Sequence, residues 1–137
     1  MDTLITNTEI EAIKRHAEQG YPHEVVGILA GKNGTIEKTV ALINERAETH
    51  NRYKVSGLML YRTEEKLRTE GWDILGYYHS HPDHPSQYSE YDKDHALPNM
   101  SYMIVSVLQG TSATIQSWRL REDREVMLEE TIEILPH

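Results

Sequence analysis

Apolar residues recur at helical spacing near the start of the chain, where Ile10, Ile13 and Ala17 line one side of a segment that closes at Gly20. Thr8 and Glu11 stand at capping-box spacing at its head, so the pattern predicts a helix from Thr8 to Gly20. The pattern then changes. Val25 to Ala30 is an unbroken aliphatic run closed by Gly31, which predicts a strand buried on both faces. Lys32-Asn33-Gly34 is a hairpin turn in composition, and Thr35 to Ile43 is the returning strand.

Helical spacing returns with Leu58, Leu60, Tyr61 and Leu67, set among charged residues and ending before Gly71. Trp72 to His81 reads as a second central strand, interrupted by Pro82 and Pro85, and Ser89 to Ala96 as a short helix. Tyr102 to Leu108 and Ser112 to Leu120 are strands joined by a Gln109-Gly110 turn. Glu125 to Leu135 alternates Val126, Leu128, Ile132 and Ile134 as an edge strand would. Helices interspersed with strands predict an α/β (α+β) fold, a mixed β-sheet flanked by helices.

No repeat, low-complexity tract or Pro/Gly/Ser-rich linker divides the 137 residues, so one domain over 1–137 is expected. Length alone is sufficient for a core, since a chain of this size buries roughly 68% of its unfolded surface. There are no cysteines, which removes disulfide scaffolds, thiolate zinc fingers, iron–sulfur clusters and cysteine nucleophiles. Any metal must be held by His, Asp or Glu. A net charge of -8 with no Lys/Arg run argues against nucleic acid as partner. The longest apolar runs are six residues or fewer, against the about 20 that a bilayer requires, so no membrane span is expected. Met1-Asp2-Thr3-Leu4 lacks the basic and apolar segments of a signal peptide, and the expected location is cytoplasmic.

The chemistry concentrates between residues 77 and 95. His79 and His81 are two apart on a strand, so their imidazoles leave the same face, as two ligands of one metal must. Pro82 cannot continue the ladder and places the pair at the strand's end, where sites open. Asp92, on the following short helix, is the natural third ligand, and three protein ligands leave a fourth position for water. Each piece has a plainer reading. A His-x-His pair is also two polar residues on one strand face. Ser89 with Asp92 is also a helix cap and its first-turn acid. His84 belongs on a solvated rim. His95 belongs on that rim too, with a lesser claim as a substitute ligand because it lies three residues beyond Asp92 on the same helix face. Tyr77, Tyr78, Tyr88 and Tyr91 flank the segment, and core packing competes with a groove-lining role for Tyr77 and Tyr78 in particular.

The combination is sharper than its parts. His79-Ser80-His81-Pro82, six residues, Ser89, two residues and Asp92 resembles the signature of the JAMM (MPN-plus, Mov34-type) zinc metallopeptidases. That family also has a Glu ahead of a buried, glycine-bearing strand, and Glu24 before Val25-Val26-Gly27-Ile28-Leu29-Ala30-Gly31 fits it. The resemblance covers most of the chain, in the short form seen in bacteria and archaea. It departs at Tyr88, where the family commonly has Pro, which implies an altered loop shape with the chemical positions kept.

The resemblance implies a cytidine-deaminase-like JAMM/MPN fold with Zn²⁺ held by His79, His81 and Asp92. It implies Glu24 as general base and acid, and Ser89 as hydrogen-bond donor to the oxyanion. The implied reaction is hydrolysis of an amide or isopeptide bond at the Gly-Gly tail of a ubiquitin-like or sulfur-carrier β-grasp protein, releasing for example cysteine or a C-terminal extension. Such a tail could pair with an exposed sheet edge. The competing class is a non-catalytic MPN-type scaffold that binds a β-grasp partner. Members of that kind usually lack equivalents of Glu24, His79, His81 or Asp92, and all four are here. A nucleobase deaminase would need a Cys pair and a HExxH protease its own string; neither is present. Substrate-binding residues are not identified by any motif.

Overall fold

The computed structural model describes residues 2–44 and 55–136. In chain order the elements are β1 (Asp2–Thr6), α1 (Asn7–Gly20), β2 (Val26–Lys32), β3 (Thr35–Leu42), α2 (Gly57–Thr69), β4 (Asp73–Pro82), α3 (Glu90–His95), β5 (Ser101–Leu108), β6 (Thr111–Leu120) and β7 (Met127–Leu135). The strands follow one another as β1-β3-β2-β4-β5-β6-β7 and close into a barrel. Pairing is mixed: β4–β5, β1–β3 and β1–β7 are parallel, and the remaining neighbours antiparallel.

Two expectations are corrected by the closure. The strand expected at the sheet's edge, β7, has β6 on one side and β1 on the other. Nothing in the sequence pattern marks β1, a five-residue strand whose apolar residues, Leu4 and Ile5, are too few to show a period. Its register with β7, from Asp2↔Thr131 to Thr6↔Leu135, is what removes the edge. An open edge for a substrate strand is correspondingly scarce. β1 covers only Thr35 and Ile36 of β3, but farther along, the Thr39 N–H is taken by the Glu9 carboxylate at 2.7 Å.

The helix expected from Thr8 begins at Asn7, because β1 runs straight into it. Thr6 is the N-cap and contributes no side-chain bond, so the expected capping box at Thr8 and Glu11 does not form; Glu11 instead pairs with Lys14 at 3.6 Å. Ile10, Ile13 and Ala17 are buried as their spacing requires. α1 touches β1, β3, β4, β5, β6 and β7, so the strands curl around it. Ile5, Ile10, Ile13 and Leu29 of this inner core are 0% exposed, each contributing about 1.5–3 kcal/mol of burial.

β2 is buried on both faces, as its unbroken apolar run requires. Val25 and Leu29 join α1 in the inner core, while Val26, Ile28 and Ala30 pack with Leu67 of α2 on the opposite face. α2 is capped by Ser56, whose Oγ accepts the Met59 N–H at 3.3 Å, and ends two residues ahead of Gly71, which has φ 92. Its apolar stripe is only partly covered by the described residues: Leu60 and Leu67 pack inward, whereas Leu58 and Tyr61 stay about 60% exposed (59% and 60%). The Asn33-Gly34 and Gln109-Gly110 pairs all take positive φ, the conformation of tight hairpins that matches strand twist.

Candidate metal centre

β2 and β4 pair antiparallel with Val26 opposite His79 and Gly27 opposite Tyr78. Side chains alternate, so β4 sends Tyr78 and Ser80 toward α1 and Tyr77, His79 and His81 toward the face that carries α2. Tyr78 is 2% exposed in the inner core, and the close approach of its ring is possible because Gly27 has no side chain: a Cβ there would fall on the ring. Tyr77 donates its hydroxyl to the Glu64 carboxylate of α2, tying that helix to β4, and burial holds the Tyr77 pKa above its ordinary value.

The ladder continues one step past the end of β2. The Ser80 N–H donates to the Val25 carbonyl at 3.1 Å, and the Val25 N–H donates back to Ser80 Oγ at 2.9 Å. Continuing the register brings Glu24 opposite His81. Glu24 is 4% exposed and lines, with His81 and Ser89, a cleft of about 240 Å³ whose further walls are His84, Gln87, Pro82 and Pro85. Ser80 was not singled out by its sequence. The signal was available: a residue between two same-face histidines must turn to the opposite face, and a hydroxyl there must find a buried partner.

Asp92 reaches the histidines from α3. Ser89 adopts extended φ −99, accepts the Asp92 N–H on its Oγ at 3.1 Å, and donates its own N–H to Asp92 Oδ2 at 2.9 Å, a complete capping box. The plain reading of this pair and the chemical one are thus compatible. An oxygen that accepts from Asp92 keeps its own O–H to donate. The cap holds Asp92 with Oδ1 3.1 Å from His79 Nε2 and Oδ2 3.2 Å from His81 Nε2, while the two Nε2 atoms lie 3.2 Å apart.

Those separations fit a metal. Ligand atoms at about 2.0–2.1 Å from a tetrahedral zinc stand about 3.3 Å from each other. The donor set of two imidazoles and one carboxylate suits zinc among divalent ions, without excluding others. His81 Nδ1 lies 2.8 Å from the Pro85 carbonyl, which can only accept; Nδ1 therefore carries the proton and Nε2 presents its lone pair. Without a metal the electrostatics are those of an ion pair. Burial opposes charge on His81, but Asp92, the Pro85 carbonyl and Glu24 together outweigh it and raise its pKa. For Asp92, burial works upward, but hydrogen bonds from His79 and His81 dominate and hold its carboxyl far below the usual range.

The other candidates lie elsewhere. His95 is outside the cluster; its ring stacks on Tyr91 at 4.0 Å between centroids and its Nδ1 is 2.9 Å from the Tyr91 carbonyl. His84 is exposed on the rim, as expected. Tyr88 packs edge-on against Trp118 at 5.0 Å, so the residue that departs from the family pattern anchors the loop while Ser89 and Asp92 still reach the site. None of the four flanking tyrosines lines the cleft among the described residues.

Residues 7–121 match the family described as prokaryotic homologs of the JAB domain. The chain belongs to that family. Among its relatives, the “Probable TtuB-protein conjugate cleaving protease” of Thermus thermophilus is 30% identical over 87% of this chain and 76% of its own. The “Desampylase” of Haloferax volcanii is 31% identical over 85% of this chain and 87% of its own. A solved structure from Desulfitobacterium hafniense superposes with a TM-score of 0.83 at 26% identity, covering 100% of this chain and 94% of that one. No helix among the described residues is long and apolar enough to cross a membrane.

Proposed function

We propose that this JAB domain, a single unit over the whole chain, is a zinc-dependent peptidase. Its substrate is an amide or isopeptide bond at the C-terminal Gly-Gly tail of a ubiquitin-like or sulfur-carrier β-grasp protein. The observation that carries the reading is the convergence of His79, His81 and Asp92, with His81 sharing a cleft with Glu24 and Ser89. The names of the two relatives, a conjugate-cleaving protease and a desampylase, support the substrate class.

A zinc ion held by the three side chains would supply a Lewis acid and bring the pKa of water toward about 7. The remaining work falls to the chain. Glu24, nearly buried at the cleft wall, takes a proton from the attacking water on its carboxylate and returns it to the leaving amine. Ser89 donates its O–H to the oxygen on which negative charge develops. Asp92, anchored by the Ser89 backbone, holds both imidazoles in place. Pro82, Pro85 and Gln87 wall the cleft, and a tail without side chains can approach such walls closely.

The test is incubation of the purified chain with a β-grasp carrier extended beyond Gly-Gly, read by intact mass. Wild type is expected to release the extension, and Glu24→Gln to be slower by about 10²–10⁴. A chelated sample is expected to be inert. Equal cleavage by Glu24→Gln would overturn the assignment of the base. Tight carrier binding without cleavage by any zinc-loaded sample would favour the scaffold reading.

A further inference from the structure

Residues 83–86 are the first part of the loop between the histidine strand and Ser89, and every one of them is tied down. Asp83, at φ 57, accepts the Tyr21 hydroxyl at 2.7 Å and the Gln109 N–H at 2.8 Å. The His84 carbonyl accepts the Ser106 hydroxyl at 2.5 Å, and the Pro85 carbonyl accepts His81 Nδ1–H at 2.8 Å. Ser86, only 1% exposed, is held three ways. Its hydroxyl donates to Gln116 Oε1 at 2.7 Å, it lies 2.7 Å from Thr114 Oγ1, and its carbonyl accepts Trp118 Nε1–H at 3.0 Å. All three partners are on β6, on the far side of β5 from the histidine strand.

The polarity of this anchor is determined. Gln116 donates its Nε2 to Glu129 Oε2 at 3.1 Å, which turns its Oε1 toward Ser86. Ser86 has one proton, given to Gln116, so Thr114 must donate to Ser86. The hydroxyl is therefore used in both directions and has one orientation. The peptide unit it carries is the one whose oxygen belongs to Pro85, since that carbonyl is bonded to the Ser86 nitrogen.

We propose that Ser86 is a positioning residue for His81: pinned on β6, it holds the Pro85 carbonyl on His81 Nδ1 and so fixes which ring nitrogen faces Asp92 and the metal position. The inference rests on the metal-centre reading for its consequence, and on hydrogen-bond geometry alone for its cause. Outer partners of metal-bound histidines typically matter by about 10–100-fold in affinity. A serine with no contact to the metal is then an affinity determinant.

The experiment compares wild type, Ser86→Ala, Thr114→Val and Ser117→Ala as full chains. Ser117 is a control: its buried hydroxyl bonds Glu130 at 2.8 Å and has no part in the loop. Zinc affinity is measured by competition with a chromophoric chelator. The His81 ring nitrogens are read by ¹⁵N NMR in zinc-free protein at a pH high enough for a neutral imidazole, and thermal melting is recorded alongside. Ser86→Ala is expected to weaken zinc by about 10–100-fold and to mix the His81 tautomers. Thr114→Val, at an exposed position, should shift both readouts the same way by less, and carries the comparison if Ser86→Ala does not fold. Ser117→Ala should lower the melting temperature with zinc affinity unchanged. Zinc affinity and ring signals unchanged in the Ser86 and Thr114 variants would overturn the proposal, as would an equal loss of affinity in Ser117→Ala. If wild type itself takes no zinc, the metal-centre reading fails, and the ring signals alone then decide the positioning role.

Discussion

Ser80 Oγ accepts the Val25 N–H at 2.9 Å, so the residue between the two histidines holds the residue that follows Glu24. Ser80 is 0% exposed and also donates its N–H to the Val25 carbonyl. This pair of bonds extends the β2–β4 ladder beyond β2 and sets Glu24 against His81.

Ser80→Ala removes the acceptor of a buried N–H. The expected loss of stability is about 1–3 kcal/mol, because the orphaned donor bears its full desolvation penalty. Activity should fall through kcat with KM little changed, since Glu24 is loosened but the cleft walls are not. Urea unfolding and steady-state kinetics on the same preparation check both halves.

Zinc should stabilise the fold by mass action. At a free concentration about 100 times its Kd, the gain is about 2.7 kcal/mol. Asp92→Asn weakens the only carboxylate of the ligand group and should abolish the zinc-dependent rise in melting temperature. An identical rise in that variant would place the ion elsewhere.

His16 Nδ1 lies 2.7 Å from the Tyr78 hydroxyl, with the rings edge-on. Burial lowers the His16 pKa from 6.5 and raises that of Tyr78, so at neutral pH the tyrosine donates to an unprotonated imidazole. In the window just below pH 6.5 the unfolded chain binds this proton and the folded chain does not, so stability falls as pH falls. Melting temperature should drop between about pH 7 and pH 5, and His16→Gln should drop less. Equal slopes in the two proteins would exclude His16 as the cause.

Gly27→Ala should destabilise by about 1–3 kcal/mol through overpacking, because the added methyl group meets the buried Tyr78 ring rather than open space. Gly57, where an added Cβ meets nothing within 4 Å among the described residues, is the control and should tolerate Ala. Thermal melts of the two variants make the comparison.

Much of this was legible along the chain because it is local. The period of Ile10, Ile13 and Ala17, the unbroken β2 run and the same-face spacing of His79 and His81 each depend on a few neighbouring residues. So does the Ser89–Asp92 capping box. Glu24 is different: one acid among 22 Asp and Glu, it was selected by its place before an apolar strand in a family pattern.

What tertiary structure alone decided is non-local. β1 has too few apolar residues to announce a strand, and it exists because β7 and β3 offer it partners, which turns an expected edge into a closed barrel. The loop anchors joining Asp83 to Tyr21, His84 to Ser106 and Ser86 to β6 span 22 to 62 positions in sequence. Hydrogen-bond partners at such distances are set by which strands lie side by side, and no spacing rule along the chain encodes that. Sequence determined which side chains are candidates for metal binding and proton transfer; packing determined what holds them still.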